Sequence, residues 1–327
     1  MEYERELEVA VQAVRLAAKV CRSVQSGITN EVLEKEDRSP VTVADYSSQA
    51  VVCRAIANAF PDDPIIGEED SSALRQSQNA PFLELIITEL SKQQIDATYD
   101  QICSWIDQAG SSQYTDRFWT LDPVDGTKGF IRGDQYAISL ALLVDGRIDV
   151  GILACPNLIN PSPKNESTGG LFYAVRGQGS FAVPLVGVAD PTPVRVSSTC
   201  DWSRVRFCES VESSHSAHGI SAQVADRLGI VTPPVRLDSQ AKYAVVARGE
   251  ADIYLRLPTR ADYNEKIWDH AGGVLVVEEA GGRVSDIYGN ALQFTHGREL
   301  SANCGVVVSN GTMHESVLAT LREIGVA

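Results

Sequence analysis

The chain has 327 residues, 44% of them hydrophobic and 22% charged, with 28 Lys and Arg against 43 Asp and Glu for a formal net charge of −15. That length suggests about two domains, and the composition is that of an ordinary globular protein, which excludes a collagen, a coiled coil or a wholly disordered chain. The negative charge disfavours a nucleic-acid polymer or an anionic membrane as partner, because the long-range field repels both, yet it leaves room for a small anionic substrate held by local cations.

The N-terminus is acidic from Glu2 and carries Glu and Arg among its apolar positions, unlike a signal peptide. No stretch approaches the roughly 18 apolar residues of a membrane helix. The expectation is a cytoplasmic protein, taken as a monomer. Seven cysteines (Cys21, Cys53, Cys103, Cys155, Cys200, Cys208 and Cys304) form no Cys-x-x-Cys pair, which argues against a disulfide framework and a zinc site. Asn165-Glu166-Ser167 matches a glycosylation sequon, which carries no weight without secretion.

In chain order, Leu7, Val11, Val14, Ala18 and Cys21 recur at helical spacing and predict a first amphipathic helix. Val43 to Phe60 predicts a second, capped by Thr42 and stopped by Pro61. Pro64 to Ile66 reads as a short strand, and Gln78 to Gln108 as one or two further helices. The texture then turns to strands: Phe118 to Leu121, Tyr136 to Val144, a hairpin turn at Asp145-Gly146, Ile148 to Cys155, Leu171 to Val175 and Ser180 to Val183, with a polar loop at Pro161 to Gly170. After a connector at Val186 to Pro193, a second alternation follows, with strands at Val205 to Ser210, Ala251 to Leu257 and Gly305 to Ser309 and helices at Ser221 to Leu228 and Asp269 to Ala280. The division expected is an N-terminal α+β domain over 1–187 and a C-terminal α/β domain over 188–327.

Four acidic segments could carry chemistry. Asp122-Pro123-Val124-Asp125-Gly126-Thr127 follows a strand and sets two carboxylates around a turn in which Pro123 fixes its own φ and Gly126 permits a tight bend. Hard divalent cations favour such oxygens, and any surface Asp-Pro, Asp-Gly turn favours the same residues. Gly67-Glu68-Glu69-Asp70 ends a short strand, where site residues and solvated turns both occur. Asp269 opens an apolar, Gly-containing segment and suits a helix N-cap, while Asp45, three residues after Thr42, suits a capping box.

Together, Thr42-Val43-Ala44-Asp45, Gly67-Glu68-Glu69, Asp122 to Thr127 and Trp268-Asp269 resemble the motifs of the lithium-sensitive, magnesium-dependent phosphomonoesterases that include the inositol monophosphatases, in that family's order. Val211 to His218, Leu237 to Tyr243 and Ala251 to Pro258 are similar to segments of the 3′(2′),5′-bisphosphate nucleotidases of the yeast and plant salt-tolerance type. The resemblance implies a layered αβαβα, two-domain α/β fold of the sugar-phosphatase kind with the active site in the cleft between domains.

It further implies that Glu68, Asp122, Asp125 and Asp269, with the Val124 carbonyl, are ligands of two or three Mg²⁺ ions. Asp45 and Thr127 become the pair that orients and deprotonates the attacking water. Gly126 and Thr127 start a helix facing the scissile phosphate, Ser239, Lys242 and Arg256 take the 5′-phosphate, and His215 lies beside the nucleoside. The implied reaction releases the 3′-phosphate of adenosine 3′,5′-bisphosphate, and of 3′-phosphoadenylyl sulfate, with inhibition by Li⁺ and with Na⁺ and Ca²⁺ as further candidate inhibitors. Alternatives are an inositol 1,4-bisphosphate or 1-monophosphate phosphatase and a catalytically silent nucleotide-binding regulator.

Overall fold

A computed structural model describes residues 2–28, 39–159, 168–211, 218–258, 260 and 263–327. Helix α1 (Glu4–Ser26) buries Val14, Ala18 and Cys21 of the expected stripe, leaves Leu7 and Val11 half-buried at its edge, and adds Ala10 and Ala17 against α2 (Ser39–Ala59). Helix α2 starts upstream of the expected Val43. Ser39-Pro40 is the start signal, since Pro suits the first turn, and this places Thr42 and Asp45 inside the helix, away from any capping position.

Strand β1 (Ile65–Gly67) is followed by a 3₁₀ turn (Ser77–Asn79) and two helices, α3 (Ala80–Lys92) and α4 (Tyr99–Asp107). A reciprocal capping box starts α4: Thr98 Oγ1 accepts from the Gln101 N–H at 3.3 Å, and the Thr98 N–H donates to Gln101 Oε1 at 2.9 Å. Next come β2 (Arg117–Asp125), the short α5 (Thr127–Arg132), β3 (Ala137–Val144), β4 (Arg147–Ile159), β5 (Thr168–Val175), β6 (Gly179–Pro184) and β7 (Thr192–Val194). Asp145 (φ 51) and Gly146 (φ 76) make the two-residue turn between β3 and β4, as expected of Asp-Gly. Most of the polar loop expected at Pro161 to Gly170 lies outside the described residues, and its last three residues belong to β5. The seven strands follow one another in order as a single sheet, with β1 parallel to β2 and every later pair antiparallel. Because β7 pairs with β6, this sheet reaches Val194.

The second half builds β8 (Phe207–Glu209), α6 (His218–Leu228), β9 (Val235–Arg236), α7 (Ala241–Ala247), β10 (Ile253–Arg256), a 3₁₀ turn (Ile267–Asp269), α8 (Ala271–Glu279), β11 (Arg283–Ser285), β12 (Val306–Ser309) and α9 (His314–Glu323). Its sheet has the order β11-β12-β10-β8-β9. Helices α7 and α8 fill the space between the two sheets, α1 and α2 cover the outer face of the first, and α6 and α9 lie beyond the second, giving five layers. Two glycines let α8 press onto its neighbours. A Cβ on Gly272 would stand 2.6 Å from Ser139 Oγ, and one on Gly273 2.4 Å from the Tyr243 ring.

Candidate active site

The site starts from a defect in β2. Asp122 pairs with Ser139 and Asp125 with Ala137, so three residues of β2 advance against two of β3. Side chains alternate along a strand, so residues three apart would face opposite sides. The extra residue at Pro123-Val124, where proline has no N–H to give the ladder, turns Asp125 back to the side of Asp122. The Val124 N–H then donates to Asp122 Oδ1 at 3.2 Å. Helix α2 fixes this bend, Ser48 Oγ donating to the Pro123 carbonyl at 2.9 Å.

Strand β1 runs parallel to β2 with Gly67 opposite Leu121, which brings Glu68 beside Asp122. The buried Gln49 of α2 clamps the next residue, accepting from the Glu69 N–H at 3.1 Å and donating to the Glu69 carbonyl at 2.6 Å. Gly67 is required there, since a Cβ would lie 2.7 Å from Ala109 Cβ. Asp269 arrives from the other half of the chain as the last residue of a 3₁₀ turn, not as the expected first residue of a helix.

These acids converge on a cleft of about 390 Å³ lined by Glu68, Asp122, Val124, Asp125, Gly126, Thr127, Ser239, Lys242, Arg256 and Asp269. Burial raises the Asp122 carboxyl well above the carboxylate range, and the charges of Glu68, Asp125 and Asp269 add to it. Asp269 is raised well above its usual value by burial and then by Asp125. Glu68 goes up to about 7, from burial and from Glu69 and Asp125. All the donors are hard oxygens and the acids destabilise one another, so the set fits a divalent cation such as Mg²⁺.

Asp45 stands behind this group at 8% exposure, its carboxyl raised well above the ordinary value by burial and by Glu69 and Glu68. Thr127 is exposed at the first position of α5, after Gly126 (φ 91), and the two share no hydrogen bond among the described residues.

The opposite wall carries Ser239, Lys242 and Arg256, the residues expected to hold a phosphate. Ser239 takes the left-handed region (φ 67), and Gly126 approaches it so closely that a Cβ there would meet Ser239 Cβ at 2.8 Å. The Gln240 N–H donates to Asp125 Oδ2 at 2.6 Å, its side chain accepts from Ser139 Oγ at 3.0 Å and donates to the Trp268 carbonyl at 2.9 Å, so one residue links the two halves. Buried Lys242 donates to the Ser239 carbonyl at 2.7 Å over the Tyr254 ring, and burial lowers its pKa. His215 lies outside the described residues.

Arg256 is held by Glu265, a residue the sequence does not single out. The Arg256 Nε donates to both Glu265 oxygens at 3.1 and 3.2 Å, His270 Nε2 meets Glu265 at 3.2 Å, and His270 Nδ1 pairs with Tyr243 Oη at 2.7 Å. Burial alone would raise Glu265, but His270 and then Arg256 outweigh it and hold the carboxyl at about 2. Glu265, Asp269 and His270 have the proximity of a metal cluster, within 4.8 Å of one another. Both His270 nitrogens and both Glu265 oxygens are already engaged, which makes Glu265 and His270 a support for Arg256.

Five layers of helix and sheet, with carboxylates from both halves of the chain gathered in one cleft, mark a phosphatase of the inositol monophosphatase type. The inositol monophosphatase family model matches residues 2–325, and the chain belongs to that family. Within it, the chain is similar to proteins named 3′(2′),5′-bisphosphate nucleotidase. That of Emericella nidulans is 41% identical over 354 residues, covering 99% of each chain. That of Schizosaccharomyces pombe is 42% identical over 335 residues, covering 97% of this chain and 95% of the relative. An inositol monophosphatase from Anabaena shares the fold, with a TM-score of 0.63 at 20% identity over 98% of this chain and 96% of its own.

Proposed function

We infer that the protein is a Mg²⁺-dependent 3′(2′),5′-bisphosphate nucleotidase that hydrolyses adenosine 3′,5′-bisphosphate to AMP and phosphate, with 3′-phosphoadenylyl sulfate as a second substrate. The observation that carries the reading is the facing of two walls across one cleft: the acids Glu68, Asp122, Asp125 and Asp269 on one side, Ser239, Lys242 and Arg256 on the other. One phosphate is placed for chemistry and the other for recognition, which a monophosphate site does not need.

Glu68, Asp122, Asp125, Asp269 and the Val124 carbonyl would hold two or three Mg²⁺ ions. When bound, such ions neutralise phosphate charge and lower the pKa of a water. Asp45, its carboxyl raised by burial, would accept the water proton relayed through the Thr127 hydroxyl, and a solvent proton would convert the departing 3′-oxygen to a hydroxyl. The free amides at the start of α5 face the phosphate oxygens. Arg256, held through Nε by Glu265, grips the 5′-phosphate with its terminal N–H groups, Lys242 and Ser239 complete the grip, and His215 meets the nucleoside. Li⁺, with half the charge of Mg²⁺, would inhibit by occupying one of these hard-oxygen positions.

The reading extends to a cytoplasmic monomer whose two domains divide after Val194 rather than at 187, since β7 belongs to the first sheet. No helix among the described residues is long and apolar enough to cross a membrane. The test is Arg256→Ala, assayed on adenosine 3′,5′-bisphosphate and on the 3′-monophosphate. KM should rise on the order of 100-fold for the first and little for the second, and equal effects on both would remove Arg256 from the 5′-phosphate.

A further inference from the structure

Arg298 comes from the far end of the chain and reaches both halves of the metal site. Its Nη2 donates to the Gly67 carbonyl at 2.6 Å, immediately before Glu68, and its Nη1 to the Ser111 carbonyl at 3.4 Å. Its guanidinium lies over the ring of Trp268, 4.6 Å from the centroid, immediately before Asp269. The backbone reinforces the reach: the Ile267 N–H donates to the Arg298 carbonyl at 3.1 Å and the Leu300 N–H to the Glu265 carbonyl at 2.8 Å. Gly297 (φ 73) lets the chain pass, since a Cβ would meet the Ser112 carbonyl at 2.6 Å.

We propose that Arg298 is a positioning residue for the metal site, a staple that fixes the carboxylates of Glu68 and Asp269, one from each half of the chain, at the separation a divalent cation requires. Only a planar fork does this, because one edge must hydrogen-bond carbonyls while the face stacks on an indole. The inference rests on the reading of Glu68 and Asp269 as metal ligands. Its sign is diagnostic. A positive charge beside a cation site weakens cation binding by simple repulsion. Positioning strengthens it, and loss of such outer supports costs about 10- to 100-fold in metal affinity.

The experiment is a Mn²⁺ titration of the purified full-length protein without substrate, reading free Mn²⁺ by electron paramagnetic resonance, for the wild type, Arg298→Met and Arg298→Lys. The staple predicts binding weakened at least about tenfold in both variants, including the lysine that keeps the charge. The Mg²⁺ concentration for half-maximal phosphate release should rise in parallel, while KM for the nucleotide at saturating Mg²⁺ moves less than about threefold. Tighter Mn²⁺ binding in Arg298→Met with no change in Arg298→Lys would reduce Arg298 to a charge and overturn the proposal, as would unchanged binding in both. If Arg298→Met does not fold, Arg298→Lys and Trp268→Leu, which removes the stacking platform, carry the same expectation. Absence of Mn²⁺ binding to the wild type would overturn the ligand reading itself, whereas Mn²⁺ binding with no nucleotide hydrolysis would overturn the substrate and leave the staple standing.

Discussion

Replacing Gly273 by alanine puts helix propensity, packing and substrate affinity in opposition. Alanine in the interior of α8 would gain about 1 kcal/mol over glycine from propensity alone. Its Cβ, however, would lie 2.4, 2.6 and 2.8 Å from Cγ, Cδ2 and Cβ of Tyr243, a side chain 1% exposed. Overpacking of this kind costs about 1–3 kcal/mol. Moving the ring also breaks the 2.7 Å bond of Tyr243 Oη to His270 Nδ1 in a buried place, for about 1–3 kcal/mol more. The net is a loss of about 3 kcal/mol, or roughly 5 °C in Tm for a chain of this size. Because His270 leans on Glu265 and Glu265 on Arg256, KM for the bisphosphate should rise as well. Denaturant melts and steady-state kinetics measure both. Gly219→Ala is the control, since nothing lies within 4 Å of a Cβ there and stability should hold or improve. Glu265→Gln should reproduce the KM effect without the steric cost. A Gly273→Ala protein as stable as the wild type, with unchanged KM, would refute both the packing and the chain of support.

Asp122→Asn should lower kcat on the order of 10²–10³ or more, the scale lost with one preorganised electrostatic group at a reacting centre. The same variant should be more stable than the wild type in EDTA, because a buried acid raised by its neighbours is gone, and should lose the stabilisation the wild type gains from Mg²⁺; paired melts in each medium check this. His314 predicts a pH dependence. It is fully buried between Ser309 Oγ, 2.9 Å from Nδ1, and Ser285 Oγ, 2.8 Å from Nε2, and Ser285 donates onward to the Asp286 carbonyl. That arrangement suits the neutral ring with its proton on Nε2. Burial, with help from Arg283, lowers its pKa from 6.5 to about 4. The unfolded chain therefore binds the extra proton first, and stability falls as pH drops from about 6.5 to 4, by about 3 kcal/mol in all. Urea melts across that range should show the fall in the wild type relative to His314→Gln, and a pH-independent difference between the two would count against it.

The sequence made the first six strands and the helices over them readable because their faces alternate or recur, whereas β7 starts within the stretch read as a connector. Helix α1 has one buried stripe, and Asp145-Gly146 can hardly be anything but a turn. Helix α7 was not legible, since all seven of its residues are buried and no polar face marks the period. Helix α9, beginning at the buried His314, was likewise missed. The expected strand at Val205 to Ser210 shrinks to Phe207–Glu209, with Val205 packed in the core without pairing. The acids Glu68, Asp122, Asp125 and Asp269 that line the cleft are ones the motifs single out, while the extra residue of β2 that turns Asp125 to the side of Asp122 shows only in the strand pairing. Their supports were invisible. Gln49, Gln240, Glu265 and Arg298 are ordinary polar residues whose partners lie distant in sequence, and only the folded chain says what they hold.

The most direct test of the account is phosphate release by the purified protein, with Mg²⁺ and with EDTA, from adenosine 3′,5′-bisphosphate, inositol 1-phosphate and inositol 1,4-bisphosphate in parallel. The account predicts Mg²⁺-dependent release with a strong preference for the nucleotide. Equal or inverted preference would contradict the assignment of Ser239, Lys242 and Arg256 to the second phosphate, and release that survives EDTA would contradict the metal site.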